Sequence, residues 1–106
     1  MVSIRDINVL QLKKERFKFM YVLIVTYSFD PQVVAHLFEN HDDAVVALRE
    51  DFESEKRIDI EENEWDTTAT IDEDGEYAKI VNHFEKGDDI TEFRVAEITP
   101  WMPPVG

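Results

Sequence analysis

A run of carboxylates in the middle of the chain has the residue types and spacing that could recognise a positively charged partner. If residues 50–64 were helical throughout, these 15 residues would span about 22 Å, with one net negative charge about every 3.7 Å. Duplex DNA carries one charge per roughly 1.7 Å of its axis. The segment could therefore imitate a phosphate backbone. It contains Lys56 and Arg57 and eight acidic residues: Glu50, Asp51, Glu53, Glu55, Asp59, Glu61, Glu62 and Glu64.

Most acidic runs are only solvated surfaces that keep a protein soluble. This one has a cost, because like-charge pairs such as Asp51 and Glu55, four residues apart, each destabilise a helix by a few tenths of a kcal/mol. That cost favours a basic partner. Asp72 and Asp74 in a predicted turn extend the candidate surface, and Trp101 is a typical interface anchor that could equally cover one end of the core. We predict that the eight acids, Asp72, Asp74 and Trp101 bind the partner.

Metal binding and catalysis have weaker support in the sequence. The three histidines, His36, His41 and His83, do not have the spacing of a zinc site on one helix or strand. An EF-hand-like fragment at residues 72–75 lacks the carboxylate required at the end of such a loop. The acids fall in turns or on polar faces, and no nucleophile motif or glycine-rich phosphate loop is present. We therefore predict no catalytic residues, no metal and no cofactor.

The first half of the chain predicts two strands and a helix. Residues 21–29 form an almost continuous apolar run, typical of a central strand buried on both faces. The sequence Asp-Pro-Gln at residues 30–32 predicts a break, and residues 33–38 predict a second strand. Asn40 is a good N-cap for a helix over about residues 42–57. Its core stripe would contain Val45, Leu48 and Phe52, with Ala44 beside them.

The second half of the chain predicts three more strands. Trp65, Thr67, Ala69 and Ile71 alternate with polar residues, as in a strand with one wet face. Gly75 and Gly87 provide turns, and residues 77–84 alternate again. Phe93, Val95 and Ile98 anchor the last strand. The sequence therefore predicts one α+β domain over residues 20–100, an antiparallel ββαβββ sheet with a single helix packed on one face.

The N-terminal arm, residues 1–19, differs in charge from the remainder of the chain. Its five basic and two acidic residues give a net charge of +3, which leaves −16 for the rest. It lacks the long apolar region of a secretory signal. Ile4, Ile7 and Leu10 could line an amphipathic helix docked on the acidic body. Alternatively, the arm is an over-extended gene start and translation begins at Met20, which we slightly favour. Residues 101–106 form an apolar, proline-rich tail.

Overall composition limits the classes of function. The 106 residues carry 24 acidic and 11 basic side chains, a net charge of −13, with 43% hydrophobic residues. This length predicts one domain, and the hydrophobic content is sufficient for a core. Because cysteine is absent, disulfides are excluded and a cytoplasmic location is expected. The negative field argues against direct binding to nucleic acid or to an anionic membrane.

In its size, acidity and lack of cysteine, the chain resembles phage and mobile-element proteins that inhibit host defence nucleases, the anti-restriction and anti-CRISPR proteins. The resemblance is one of composition and size, without a shared motif. It implies a non-enzymatic inhibitor that occupies a basic, nucleic-acid-binding surface of a partner such as a nuclease. The alternative is a structural or regulatory domain that forms a homodimer through its sheet or its C-terminal tail.

Overall fold

A computed structural model of the protein describes residues 20–99. These residues form a five-stranded antiparallel sheet with one helix packed on it, which confirms the predicted α+β fold. The predicted arm 1–19, the tail 101–106 and Trp101 lie outside the described residues. The strands are β1 (Tyr21–Tyr27), β2 (Asp30–Phe38), β3 (Thr67–Ile71), β4 (Tyr77–Phe84) and β5 (Gly87–Glu97), and the helix α1 is His41–Arg57.

The sheet has the strand order β2-β1-β5-β4-β3, with every neighbouring pair antiparallel. Two hairpins, β1–β2 and β4–β5, meet where β5 pairs with β1 from Tyr21 opposite Glu97 to Tyr27 opposite Thr91. The helix links β2 at one edge to β3 at the other. Because α1 crosses the sheet on a single face, that face is covered and the opposite face is open within residues 20–99.

Strand β1 differs from the prediction of burial on both faces. Leu23 and Val25 point to the helix and are buried, whereas Val22 and Ile24 on the open face are only half-buried. The long apolar run therefore corresponds to a strand that is second from the edge of the sheet and is buried on one face only. The predicted break at residues 30–32 was also wrong, because β2 begins at Asp30 and includes Pro31. Proline is tolerated there because β2 is an edge strand.

Helix α1 begins as predicted. Asn40 is its N-cap, and the side-chain oxygen of Asn40 accepts a hydrogen bond from the backbone N–H of Asp43 at 2.9 Å. Ala44, Leu48 and Phe52 follow at four-residue spacing and are buried against the sheet. The predicted stripe is thus confirmed at Leu48 and Phe52, and its neighbour Ala44 replaces the half-buried Val45 as the innermost residue of the first turn.

The core lies between α1 and the inner face of β1, β5 and β4. The Phe52 and Phe93 rings meet edge to face, 6.1 Å between centroids. The alternation predicted for residues 77–84 is confirmed: Ala78, Ile80 and Asn82 are buried under the helix. Trp65 was wrongly placed in a strand. It precedes β3 and packs edge-on against Phe84, 5.1 Å between centroids.

The β3–β4 turn contacts the first turn of α1. His41 Nε2 lies 2.7 Å from a carboxylate oxygen of Glu76, and the His41 ring packs edge-on against Tyr21. This hydrogen bond raises the pKa of His41 above its usual value, with a smaller contribution in the same direction from Asp42. The contact therefore joins the sheet to the helix most strongly when the imidazole is protonated.

A pH-dependent loss of stability is expected from this contact. Because the folded-state pKa of His41 is raised, its contribution is fully present below the unfolded value of 6.5 and is lost as the pH rises through the folded pKa. Melting temperatures of the wild type and Glu76→Gln, measured from about pH 5.5 to 8.5, should differ most at the acidic end. Parallel pH curves for the two proteins would contradict this.

None of the helices among residues 20–99 has the length and the apolar character needed to cross a membrane.

Candidate functional site

The acidic segment, residues 50–64, covers the second half of α1 and the turn that follows it. After Arg57 the helix continues as one π-helical turn, Ile58–Glu62. Asn63 is the C-cap of this turn. The next residue, Glu64, has a φ of 54°, in the left-handed region. Seven of the eight predicted acids have exposed or half-exposed side chains: Glu50, Asp51, Glu53, Glu55, Glu61, Glu62 and Glu64.

Asp59 is the exception, and the prediction that it binds a partner is corrected by the structure. It is only 3% exposed. A carboxylate oxygen of Asp59 accepts a hydrogen bond from Asn82 Nδ2 at 2.9 Å, and Thr67 Oγ1 donates to Asn82 Oδ1 at 2.6 Å. This buried chain of hydrogen bonds joins the π-helical turn to β4 and β3. Asp59 is therefore a structural residue that a partner does not reach in this fold.

The burial of Asp59 lowers the charge density of the accessible surface. Six exposed or half-exposed acids and the two bases lie between residues 50 and 62, a length of about 20 Å along the helix, or one net charge per about 5 Å. Two of these acids have basic neighbours: Glu53 lies 3.6 Å from Lys56, and Glu62 lies 3.6 Å from Arg57. The spacing is closer to a single nucleic-acid strand, at 3.4 Å per phosphate, than to a duplex.

Asp72 and Asp74 are not brought together with the acidic segment. Both are exposed in the β3–β4 turn, which meets the first turn of α1 through Glu76 and His41. The helix separates that contact from Arg57 by about 24 Å. The two aspartates thus lie at the opposite end of the domain, where Asp74 accepts a hydrogen bond from the backbone N–H of Glu76.

A groove runs between the second half of α1 and the inner face of the sheet beside β2. Its floor is apolar, formed by Val25, Val34 and Phe93. The helix contributes Asp51, Ser54 and Glu55 to its rim, and β1 contributes Tyr27. Thr91 of β5 lines the groove from a buried position. The cavity has a volume of about 170 Å³. We call it the helix–sheet groove. None of the residues within 20–99 that line it is basic.

The groove changes the electrostatics of the acids beside it. Burial raises the pKa of the Glu55 carboxyl, and the carboxylates of Asp59 and Asp51 raise it further. Burial also raises the pKa of the Tyr27 hydroxyl, with added contributions from Glu55, Asp51 and Asp30. Both pKa values are raised because the two groups are partly shielded from water and lie close to other negative charges. A cation in the groove would relieve both effects.

Comparison with protein-family models, curated proteins and solved structures found no match.

Sequence reasoning missed Tyr27 and Thr91, which approach the acidic segment from β1 and β5. The sequence of the helix did contain one indication that acidic residues would face the sheet. Glu55 follows Leu48 by seven residues, two helical turns, and so shares its core-facing side. Asp51, Glu55 and Asp59 repeat at four-residue spacing on that side, so a row of carboxylates faces the sheet.

The three histidines lie apart from the acidic segment. His36 is exposed on β2, and His41 contacts Glu76. His83, on the open face, lies 3.1 Å from Asp88 and 2.9 Å from the Thr68 hydroxyl. Within residues 20–99, no three histidine or carboxylate side chains converge in the way that a metal ion requires.

Proposed function

We propose that the protein is a non-enzymatic inhibitor that occupies a basic, nucleic-acid-binding surface of another protein, such as a nuclease. The observation that carries this proposal is the display of seven accessible carboxylates, six along the second half of α1 and its π-helical turn and the seventh, Glu64, just after that turn. Their spacing approaches that of phosphates along a single strand. A basic surface that binds nucleic acid would bind the same array, and occupancy would exclude its usual ligand.

The charges also predict how the inhibitor binds. Contacts between exposed carboxylates and a basic surface are weakened by salt, which screens the charges. Such contacts raise the rate of association more than they raise the affinity. The Lys56–Glu53 and Arg57–Glu62 pairs leave four exposed acids of the segment without a basic neighbour within 4 Å among residues 20–99: Glu50, Asp51, Glu61 and Glu64. These four are the acids most available to an incoming arginine or lysine.

Neutralising the acidic segment should abolish binding while preserving the fold. The test variant replaces Glu50, Glu53, Glu55, Glu61 and Glu62 with glutamine. A matched control removes five charges elsewhere, at positions without a side-chain hydrogen bond or ion pair among residues 20–99: D66N, E73Q, E85Q, D89N and E97Q. Each protein is immobilised and exposed to an extract of the organism that encodes it, at about 50 and 200 mM salt.

The readout has two steps. A partner should be retained by the wild type and the control, lost by the test variant, and retained less at the higher salt. The purified partner should then bind labelled nucleic acid, and the wild-type protein should displace that nucleic acid while the test variant does not. Equal capture by all three proteins, or simultaneous binding of protein and nucleic acid to the partner, contradicts the proposal.

A second candidate function, self-association through the sheet, is favoured by the outer strand β2. Val33 and Leu37 point to the open face and are 59% and 54% exposed, and β2 has a free edge within residues 20–99. Exposed edge strands readily pair with another chain. Light scattering separates the two functions, because the inhibitor can act as a 12.5 kDa monomer whereas self-association requires at least a dimer.

A further inference from the structure

The helix–sheet groove contains a buried polar group that the fold leaves unused. Thr91 lines the groove and is 4% exposed, so its hydroxyl is almost completely removed from water. Within residues 20–99 the Thr91 hydroxyl has no hydrogen-bond partner. Buried hydroxyls are normally paired, because an unpaired one costs stability. Its position at the groove suggests that a ligand supplies the missing partner.

The other lining residues define the chemistry of that ligand. The apolar floor of Val25, Val34 and Phe93 fits a hydrocarbon stem, and the acids Asp51 and Glu55 at the rim fit a positive charge. Asp30 adds negative charge close to Tyr27. Because no basic side chain among residues 20–99 lines the groove, no described residue neutralises this charge locally. An aliphatic chain that ends in a cation would meet all of these groups.

We propose that the helix–sheet groove receives one arginine side chain of the protein that the acidic segment binds, an inference that rests on the proposed function. The methylenes of the arginine pack on the floor while its guanidinium reaches the rim. Five N–H donors can serve Asp51, Glu55 and the Thr91 hydroxyl together. The planar guanidinium also stacks on an aromatic ring such as Tyr27, which an ammonium group does less well.

The size of the groove agrees with a single side chain. A closed apolar cavity of about 150 Å³ accommodates one benzene molecule. The groove, at about 170 Å³, therefore has room for one guanidinium and part of its stem. A helix or a strand of the partner would remain outside, in contact with the exposed carboxylates of α1.

The test uses the full chain, labelled with ¹⁵N, and N-acetyl-arginine methylamide as the probe. We expect saturable shifts of the Tyr27, Glu55 and Thr91 backbone amide signals, with a Kd of about 1–10 mM. The citrulline analogue, which has nearly the same shape without the charge, should bind at least about tenfold more weakly. The lysine analogue should also bind more weakly than arginine, by about threefold or more.

Two variants and a control distinguish binding in the groove from nonspecific attraction of the probe to a negatively charged protein. Thr91→Val replaces the hydroxyl with a methyl group of similar size, and Glu55→Gln removes the charge of the half-buried carboxylate. Each should raise the Kd by about 3–10-fold. Glu73→Gln removes an exposed charge from the β3–β4 turn, outside the acidic segment, and should leave the Kd within about twofold. Both groove variants should melt at or above the wild-type temperature, because each removes a group that the fold leaves unpaired or repelled.

The outcomes distinguish the groove from the proposed function. Absence of saturable shifts, or an equal Kd for Thr91→Val and the wild type, overturns the arginine groove. Either result overturns the groove even if the acidic segment competes with nucleic acid for a partner. The arginine groove is also overturned if the chain's own basic arm, residues 1–19, is found to occupy it. Saturable arginine binding that depends on Thr91 and Glu55 supports the groove. If arginine binds in this way but the protein does not compete with nucleic acid for a partner, the proposed inhibitor function is wrong and the groove is still supported.

Discussion

Replacing Asn82 with alanine is expected to lower the free energy of unfolding by about 3 kcal/mol, because it removes the hydrogen bond that holds a buried acid. Asn82 Nδ2 donates to Asp59, and Asn82 Oδ1 accepts from Thr67 Oγ1. With Asn82 only 5% exposed and Asp59 only 3% exposed, water cannot readily replace the lost partner. In a domain of this size, the melting temperature should fall by about 12–24 °C.

The double variant Asp59→Ala/Asn82→Ala provides the control for this prediction. If the cost of Asn82→Ala arises from leaving Asp59 unpaired, removing both partners should cost less than the sum of the two single variants. Glu85→Ala, just after β4, changes an exposed side chain without a hydrogen bond or ion pair among residues 20–99 and should shift stability by less than about 0.5 kcal/mol. Additive losses at Asp59 and Asn82 would show that the hydrogen bond is not the source of the effect.

The position of Asp59 also shows where sequence reasoning stopped. The sequence placed Asp59 among the exposed acids because charged side chains are almost always solvated. Its hydrogen-bond partner Asn82 is 23 residues away on β4, and that contact depends on how the chain returns after the π-helical turn. A local pattern carries no information about such a partner, although the inward position of Asn82 followed from strand alternation.

Local patterns were sufficient where a structure repeats with a fixed period. The N-cap at Asn40, the helical stripe of Leu48 and Phe52, and the inward face of β4 were all predicted because each follows from spacing alone. The pairing of β5 with β1 places Tyr21 opposite Glu97, although the two residues lie near opposite ends of the domain's sequence. The sequence pattern allowed several strand orders, so the groove formed where β1, β5 and α1 meet could not be predicted.

The groove residues also suggest why the fold retains unfavourable groups. Glu55 lies on the core side of α1 beside two other carboxylates, and the Thr91 hydroxyl is buried without a partner among residues 20–99. Each departs from the usual rule that buried polar groups are paired. Such departures tend to occur at functional sites, where stability is lost in favour of binding. The exposed acids of the acidic segment add only the smaller cost of like charges spaced four residues apart on a helix.

Replacing Gly75 with alanine is expected to destabilise the domain by about 2–4 kcal/mol, because two separate costs combine at this position. Gly75 has a φ of 74°, in the left-handed region. A Cβ added to it would lie 2.8 Å from Val45 Cγ1 on α1, closer than real contacts allow. Val45 cannot easily turn away, because a β-branched side chain in a helix has one strongly preferred rotamer. Thermal and denaturant unfolding of the variant measure the sum.

The Val45→Ala substitution separates the two costs. It removes the Cγ1 atom that the new Cβ would meet, so Gly75→Ala should cost about 1–2 kcal/mol less in the Val45→Ala background than in the wild type. The cost that remains is the backbone cost of alanine at positive φ. Because the β3–β4 turn also positions Glu76 against His41, the clash should weaken that contact as well. An equal cost of Gly75→Ala in both backgrounds would mean that the turn moves away from α1 and that the close packing seen at Gly75 is not maintained in solution.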